Sequence, residues 1–152
     1  MDHKDRQIIR ELQRNGRMTN QDLAAAVNLS PSPCLRRLRN LEESGAIQGY
    51  SADVDTKAYG LPVRVFVRVT LEQHSEAVVR NFEDKISRVD EVLECYIITG
   101  TSDYQLLVVV ADLDGYEYFV RKRLQTIGGI SSIDTSFVYS VVKRTTVLPV
   151  IG

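Results

Sequence analysis

The sequence predicts an α+β protein with an N-terminal winged helix-turn-helix part and a C-terminal ferredoxin-like βαββαβ sandwich. Three observations support this prediction. Residues 19–41 contain two short amphipathic helices joined by a tight turn. Residues 63–71 alternate strictly between apolar and polar side chains, as a strand with one buried face does. The later elements follow in the order helix, strand, strand, helix, strand, which is the split βαβ arrangement.

The N-terminal part is predicted to contain three helices. Asp5 to Asn15 has the apolar spacing of a helix and ends at Gly16. Thr19 occupies the N-cap position of the second helix. Ser30 can cap a third helix, and Pro31 suits its first position because the first N–H groups of a helix have no partner inside it.

The predicted third helix has two chemically different faces. Cys34, Leu38 and Leu41 recur at spacings of four and three, which places them on one apolar side. The opposite side carries guanidinium and amide groups, which read guanine and adenine edges in the major groove. The expected contacts to double-stranded DNA are Ser32, Pro33, Arg36, Arg37 and Asn40 in the groove, with Thr19 and Ser30 as donors to phosphates.

The charge distribution favours a local DNA-binding patch. The chain has 152 residues and a net charge of −1. Its 43% hydrophobic and 26% charged residues are fractions typical of soluble globular proteins. Residues 1–60 hold nine Lys and Arg against eight Asp and Glu. Affinity for DNA must therefore come from a cluster such as Arg36, Arg37 and Arg39.

Residues 46–55 are expected to form a short hairpin, the wing, because small and turn-forming residues separate Ile47, Tyr50 and Val54. The segment has no Lys or Arg, so a structural role is favoured over contact with the DNA backbone, and both remain open. The expected domains are 1–54 for the winged helix-turn-helix (motif at about 19–38), 55–62 for a linker and 63–152 for the second domain.

The second domain is predicted to alternate strands and helices. The strands are expected at 63–71, 92–99, 105–111 and 130–143, and the helices at about 75–86 and 113–127. Both helices should lie on one face of an antiparallel sheet. The other face then needs a cover, and a second copy of the chain would supply it, so we expect a dimer.

Other functional classes have little support in the sequence. Cys34 and Cys95 lie in different predicted domains and are expected to be separate reduced thiols, as in the cytoplasm. The two histidines, His3 and His74, indicate neither a metal site nor a catalytic set. No apolar run approaches the ~20 residues that span a membrane. We therefore expect no enzyme activity, metal, cofactor or membrane association.

The sequence resembles the Lrp/AsnC, or feast/famine, family of transcriptional regulators over nearly its whole length. Four segments carry the resemblance: LSPSPCLRRLRNLEESGAIQGY (29–50), VFVRVTL (65–71), VLECYIITGTSDYQLLVVV (92–110) and SFVYSVVKRTTVLP (136–149). The first is specific because other helix-turn-helix proteins rarely follow the turn with S-P-[ST]-P-C. The third holds the G-x-x-D-Y turn of the family between two buried strands.

This resemblance implies a DNA-binding transcription factor with an effector-binding domain, often called RAM. Members of the family form dimers that often assemble to octamers, and they usually bind a small amino acid near the G-x-x-D-Y turn, at the junction between dimers. Carried over to this sequence, the effector site consists of Gly100, Thr101, Ser102, Asp103 and Tyr104, with Thr135, Ser136 and Val138 as weaker candidates. Many members have an acidic residue where Thr101 stands here, which leaves the effector's identity and strength of action in question.

The chemistry of the GTSDY turn fits a zwitterion. Gly100 permits a tight turn with positive φ, and exposed N–H groups in such a turn suit a carboxylate. Asp103 suits an ammonium group. The alternative is a simple hairpin turn in which Asp103 bonds its own backbone. The residues alone favour the simple turn, whereas the resemblance favours the effector site.

Two rival functions fit parts of the sequence. One is a chromatin-like architectural protein that binds DNA with little effector control and a small specificity ratio. The other is an enzyme built on the ferredoxin-like half, because a fold does not determine a function. No convergent set of His, Cys or carboxylate residues is evident for such an enzyme.

Overall fold

A computed structural model describes residues 1–151 of the chain, which form two compact units. The first comprises residues 1–53 together with the C-terminal segment that begins at Val142. The second comprises residues 54–141. The domain bounds expected from the sequence, 1–54, 55–62 and 63–152, stay a prediction, and these two units are a grouping of the chain by contacts.

The first unit contains helices α1 (His3–Arg14), α2 (Asn20–Ala26) and α3 (Pro31–Glu43). Asp2 and Asp5 form a capping box at the start of α1, and the Thr19 side chain caps α2 by accepting from the backbone N–H of Asp22. Ser30 is the N-cap residue of α3, as predicted, but its side chain makes no capping hydrogen bond. The predicted cap positions of α2 and α3 are therefore confirmed, whereas α1 begins two residues before the predicted Asp5.

The three helices enclose a small apolar core. The predicted apolar face of α3 is confirmed, since Cys34 and Leu41 are buried and Leu38 packs against them. The buried members of this core are Ile8, Leu12, Leu23, Ala24, Val27, Cys34 and Leu41.

The expected hairpin at 46–55 does not form, although the structure describes all ten residues. Other contacts hold this segment. The Ile47 N–H donates to the Leu41 carbonyl at 3.0 Å, and the Tyr50 hydroxyl donates to Glu42 Oε1 at 2.8 Å. These contacts attach the segment to the end of α3 and leave its backbone without a partner strand.

The C-terminal segment binds to α1. Arg10 Nη1 donates to the carbonyl of Leu148 at 2.7 Å, and the amide of Gln13 donates to the carbonyl of Thr146 and accepts from the Leu148 N–H. Strand pairing ends at Phe137, so the strand predicted to reach residue 143 is six residues shorter than expected. Side chains of α1, instead of a neighbouring strand, bind three backbone groups of this segment, at Thr146 and Leu148.

The second unit has the predicted βαββαβ order, preceded by a one-turn helix in the predicted linker. Its elements are α4 (Thr56–Tyr59), β1 (Val63–Leu71), α5 (Glu76–Ile86), β2 (Val92–Ile97), β3 (Tyr104–Val110), α6 (Leu113–Tyr118) and β4 (Ile130–Phe137). Helix α6 continues as a π-helical turn and a 3₁₀ turn to Ile127. The sheet order is β2-β3-β1-β4, and every pairing is antiparallel.

Strand β1 lies at the centre of this sheet and separates its two faces. Val65, Val67 and Val69 are fully buried and pack against residues of α5 and α6, so both helices cover the same face. The intervening Phe66 and Arg68 are exposed on the other face. The predicted fold class is therefore confirmed, including the alternation of β1 and the antiparallel sheet.

Candidate functional site

Helix α3 presents a row of exposed polar side chains. Ser32, Arg36 and Asn40 follow one another at intervals of four residues, and all three are exposed. Arg39 is also exposed, three residues after Arg36. We call these four side chains the α3 row. None of the ion pairs within residues 1–151 includes Arg36 or Arg39, so both guanidinium groups can meet an external partner.

Arg37 is bound by two carboxylates of the N-terminal segment. Its Nη1 donates to Asp2 Oδ2 at 2.7 Å and to Asp5 Oδ1 at 2.8 Å. The Asp5 N–H, and after it Arg37, lower the pKa of Asp2 to about 2, while Asp5 and Asp2 raise the pKa of Arg37. Folding favours the Asp2 carboxylate, so this contact stabilises the fold above the ordinary pKa of 3.8 and loses its contribution as the pH falls towards 2. This geometry favours a positioning role for Arg37.

The remaining DNA-contact candidates differ in how free their side chains are. Thr19 Oγ1 accepts from the Asp22 N–H at 3.1 Å and donates to Asp22 Oδ2 at 2.8 Å, so capping already occupies this hydroxyl. Ser30 is exposed and makes no capping bond, so its hydroxyl can reach a phosphate. Pro33 is half-buried at the start of α3.

The GTSDY turn joins β2 to β3 and is fastened to β1. Gly100 has φ of +111°, a conformation that side chains rarely adopt, so glycine is required there. The Asp103 N–H donates to the carbonyl of Val69 at 2.9 Å, and the Ile98 N–H donates to the carbonyl of Asp103 at 2.9 Å. Thr101 is exposed and Ser102 is half-buried. The turn is therefore rigidly placed beside the end of β1.

The carboxylate of Asp103 has two partners in its own chain. Oδ2 accepts from the Leu71 N–H at 2.8 Å, and Oδ1 lies 2.8 Å from His74 Nε2. The Leu71 N–H, and after it His74, lower the pKa of Asp103. The sequence left open whether Asp103 serves a ligand or its own backbone, and in this structure it binds the backbone of β1.

Tyr104 faces the interior. It is 4% exposed, its ring lies 4.5 Å from that of Phe82, and its hydroxyl donates to Glu83 Oε1 at 2.8 Å. Burial, followed by the Glu83 contact, raises the pKa of this phenol well above its ordinary value. Tyr104 therefore contributes to the core and supports the turn from beneath.

The weaker effector candidates Thr135, Ser136 and Val138 lie along β4 and just beyond its end, beside β1. Thr135 pairs with Val67, and its hydroxyl bonds that of Tyr116. Ser136 is exposed opposite Phe66, and the Val138 N–H donates to the carbonyl of Arg64. The turn contacts β1 at Val69 and Leu71. Val138 is therefore about 17 Å further along the sheet, at ~3.4 Å per residue.

A cleft opens at the end of β1 where the GTSDY turn is attached. Its volume is about 450 Å³, and Glu72, Gln125, Gly128, Gly129, Ser131 and Ser132 contribute to its lining. The Glu72 N–H donates to the carbonyl of Gly129 at 2.8 Å, which joins the two sides of the cleft. Sequence reasoning did not select these residues, because no motif marks them and the pairing of β1 with β4 is what brings them together.

Comparison with known proteins identifies both units. The model of the Lrp/AsnC ligand binding domain matches residues 64–148, and a winged helix-turn-helix DNA-binding model matches residues 1–48. The chain belongs to the Lrp/AsnC family. As a member of that family it is a transcriptional regulator with a helix-turn-helix for DNA and a ligand-binding domain.

Three relatives in the Lrp/AsnC family illustrate how complete the similarity is. The transcriptional regulator AzlB of Bacillus subtilis is 35% identical over 150 residues, which is 99% of this chain and 96% of that protein. The leucine-responsive regulatory protein of Escherichia coli K12 is 35% identical over 144 residues, 95% of this chain and 88% of that protein. A Neisseria meningitidis transcriptional regulator, solved as a complex with L-methionine, is 36% identical in sequence and superimposes with a TM-score of 0.94. The matched region is 98% of this chain and 96% of that chain.

Residues 1–151 contain neither a membrane-spanning helix nor a cluster of metal ligands. Among these residues, no helix has the length and apolar character needed to cross a membrane. Within the same residues, no three His, Cys, Asp or Glu side chains come together as metal ligands would.

The contact of Arg37 with Asp2 leads to a first prediction. Arg37→Ala should lower the melting temperature of the protein. The double variant Arg37→Ala/Asp2→Asn should lower it by less than the sum of the decreases in the two single variants, because both substitutions remove the same contact. Thermal unfolding followed by circular dichroism measures the cycle at pH 7. At pH 2.5 the coupling between the two variants should shrink as Asp2 takes up a proton.

Arg36→Ala is the control, since Arg36 makes no ion pair within residues 1–151 and should leave the melting temperature nearly unchanged. Fully additive losses for Arg37→Ala and Asp2→Asn at pH 7 would contradict the positioning role of Arg37.

Proposed function

We propose that this protein is a sequence-specific DNA-binding regulator in the cytoplasm whose DNA binding or assembly responds to an amino acid. The observation that carries the proposal is the α3 row, an exposed set of hydrogen-bond donors on the second helix of a helix-turn-helix. The chain carries this row together with a separate ligand-binding domain.

The α3 row has the chemistry of direct base readout. Guanidinium groups bind the O6 and N7 edge of guanine, and an amide binds the N6 and N7 edge of adenine. Arg36 and Asn40 supply one of each at a spacing of four residues, so a helix in the major groove could present both to neighbouring base pairs. Arg39 extends this surface, and Ser30 supports it as a phosphate donor at the N-terminus of α3.

An amino acid is the effector class that best fits the second domain. The Neisseria meningitidis relative was solved with L-methionine, and that relative matches 98% of this chain. The GTSDY turn offers backbone N–H groups and hydroxyls, and the adjoining cleft offers a carboxylate. A zwitterion requires both kinds of group.

We further propose that two copies of the chain pair through the sheet face opposite α5 and α6. Phe66 is 38% exposed and Tyr96 is 52% exposed, and both pair with residues of β3 on that face. Exposed aromatic side chains on one sheet face favour association with a second, identical face. Such a dimer would bring two α3 rows to one DNA duplex, which would compensate for the low net charge of residues 1–60.

Arg36→Ala tests the DNA-reading part of the proposal. A preferred operator is first selected from a random DNA pool with wild-type protein. If Arg36 reads a base, the variant should lose about 1–3 kcal/mol of specific binding and should discriminate less between bases at one position of the site. Fluorescence anisotropy with the selected DNA and with single-base variants measures both effects.

The matched control is Arg80→Ala, which removes the same charge from α5, where Arg80 pairs with Glu76. It should leave operator affinity unchanged. If the Arg36→Ala protein discriminated between bases as well as the wild type does, Arg36 would not be a base-reading residue. Equal affinity of the wild type for all DNA would favour the architectural alternative.

A thermal-shift screen of the twenty L-amino acids tests the effector class. A ligand that binds only the folded protein and is present at 100 times its Kd adds about 2.7 kcal/mol to the free energy of unfolding. At least one amino acid should therefore raise the melting temperature by several degrees, and its D-enantiomer should do so less. No shift with any of the twenty would contradict an amino acid effector.

Phe66→Asp tests the dimer. A charge buried against the partner's sheet carries a large desolvation cost, so the variant should sediment as a smaller species than the wild type in analytical ultracentrifugation. Tyr118→Asp is the control, because Tyr118 is a similarly exposed aromatic residue on α6. Unchanged assembly of Phe66→Asp would place the interface elsewhere.

A further inference from the structure

The structure gives Asp103 a different task from the one that its place in the GTSDY turn suggests. Both of its carboxylate oxygens already have partners, the Leu71 N–H and His74 Nε2, each at 2.8 Å. An ammonium group that used Asp103 would have to share these oxygens with a backbone donor that fastens the turn to β1. Asp103 is therefore suited to positioning the turn.

A free carboxylate lies one residue beyond Leu71. Glu72 is exposed and takes part in none of the ion pairs or side-chain hydrogen bonds found within residues 1–151. Glu72 is one of the residues that line the cleft at the end of β1, and its N–H donates to the carbonyl of Gly129 on the opposite side. The backbone thus fixes the base of Glu72 while the carboxylate stays available.

The cleft around Glu72 has the size and the donors that a small zwitterion needs. Its volume of about 450 Å³ lies within the ~300–1,000 Å³ typical of small-molecule sites. Ser131, Ser132 and Gln125 line it and can donate to a carboxylate, while Glu72 can accept from an ammonium group.

Glycine maintains this cleft. Gly128 and Gly129 have φ of +80° and +74°, and a Cβ at Gly129 would lie 2.9 Å from Val78 Cγ1. Side chains at these two positions would be strained, and the absence of side chains leaves backbone exposed at the cleft wall.

Thr70 and the end of β1 link the cleft to the GTSDY turn. Ser132 pairs with Thr70, and the Thr70 hydroxyl points to the carbonyl of Thr101 at 3.5 Å. The successive N–H groups of Leu71 and Glu72 bind Asp103 on one side and Gly129 on the other. A ligand in the cleft could therefore alter the position of the turn.

We propose that the α-ammonium group of the amino acid effector binds Glu72, that Ser131 and Ser132 donate to its α-carboxylate, and that Asp103 is a positioning residue. This inference rests on the proposed function, because it assumes that an amino acid is the effector. It assigns the ligand to a cleft formed by β1, β4 and the turn before β4.

Isothermal titration calorimetry of the full-length protein tests the assignment. Each of the twenty L-amino acids is titrated into wild type, and the tightest binder is then titrated into Glu72→Gln, Glu72→Asp and Asp103→Asn. Glu72→Gln should weaken binding at least tenfold without lowering the melting temperature, and Glu72→Asp should recover part of the loss. Asp103→Asn should lower the melting temperature, because it weakens the attachment of the turn to β1.

The α-keto acid that corresponds to the tightest binder provides a ligand-side control, because it lacks the ammonium group. It should bind weakly to wild type and equally weakly to Glu72→Gln. Glu76→Gln is the protein-side control, since Glu76 is an exposed carboxylate whose partner is Arg80, and it should bind like wild type.

Wild-type affinity in Glu72→Gln would overturn this inference alone and leave the proposed function standing. Wild-type protein that binds none of the twenty amino acids would overturn the amino acid effector and this inference with it. If Asp103→Asn lost amino acid binding at an unchanged melting temperature while Glu72→Gln bound like wild type, Asp103 would be the residue that binds the ammonium group.

Discussion

The two-residue period of β1 is the constraint on which the second domain depends. Because Val65, Val67 and Val69 have no exposed surface, β1 can pack against the two helices in only one register. A slip of one residue would bury Arg64, Phe66 and Arg68 and expose the valines. The register then determines the neighbours of the strand, since β1 pairs along one edge with β3 and along the other with β4.

This register also places the ligand-binding features. The end of β1 lies between the GTSDY turn and the start of β4, so the two backbone N–H groups at Leu71 and Glu72 bind the turn and the cleft wall respectively. The same alternation leaves Phe66 on the face opposite the helices, where a second copy is proposed to bind. The core packing, the proposed ligand cleft and the proposed dimer face all depend on this one strand.

The first unit depends on a different principle. Its apolar core is small, with seven buried side chains, and polar contacts near the chain termini supplement it. Asp2 and Asp5 bind Arg37 of α3, and Arg10 and Gln13 of α1 bind the backbone of the C-terminal segment. The N-terminal residues therefore help to hold α3, the helix that carries the α3 row.

Local patterns predicted the parts of the structure that local physics determines. The period of β1, the Thr19 cap of α2 and the apolar face of α3 all depend on residues within a few positions of one another. The missing hairpin at 46–55 shows the limit, because turn-forming residues indicate a change of direction but do not supply a partner strand. The contact of Arg37 with Asp2 spans 35 positions, which helical periodicity cannot detect.

The candidate effector site was predictable only in part for the same reason. The G-x-x-D-Y motif located the turn, and its glycine has the expected positive φ. No sequence pattern could show that the Asp103 carboxylate binds β1, that Tyr104 faces the core, or that Glu72 and Ser132 lie on one cleft. Contacts between residues 32 to 60 positions apart decide these arrangements.

The central proposal is that an amino acid bound to the second domain changes the DNA binding of the first. Its most direct test is the affinity of the full-length protein for its selected operator, measured by fluorescence anisotropy at fixed salt with and without a saturating concentration of the amino acid that binds best. The apparent Kd should change about fivefold or more, in either direction, as expected for two coupled sites. Identical affinity under the two conditions, with the amino acid shown to be bound, would contradict it.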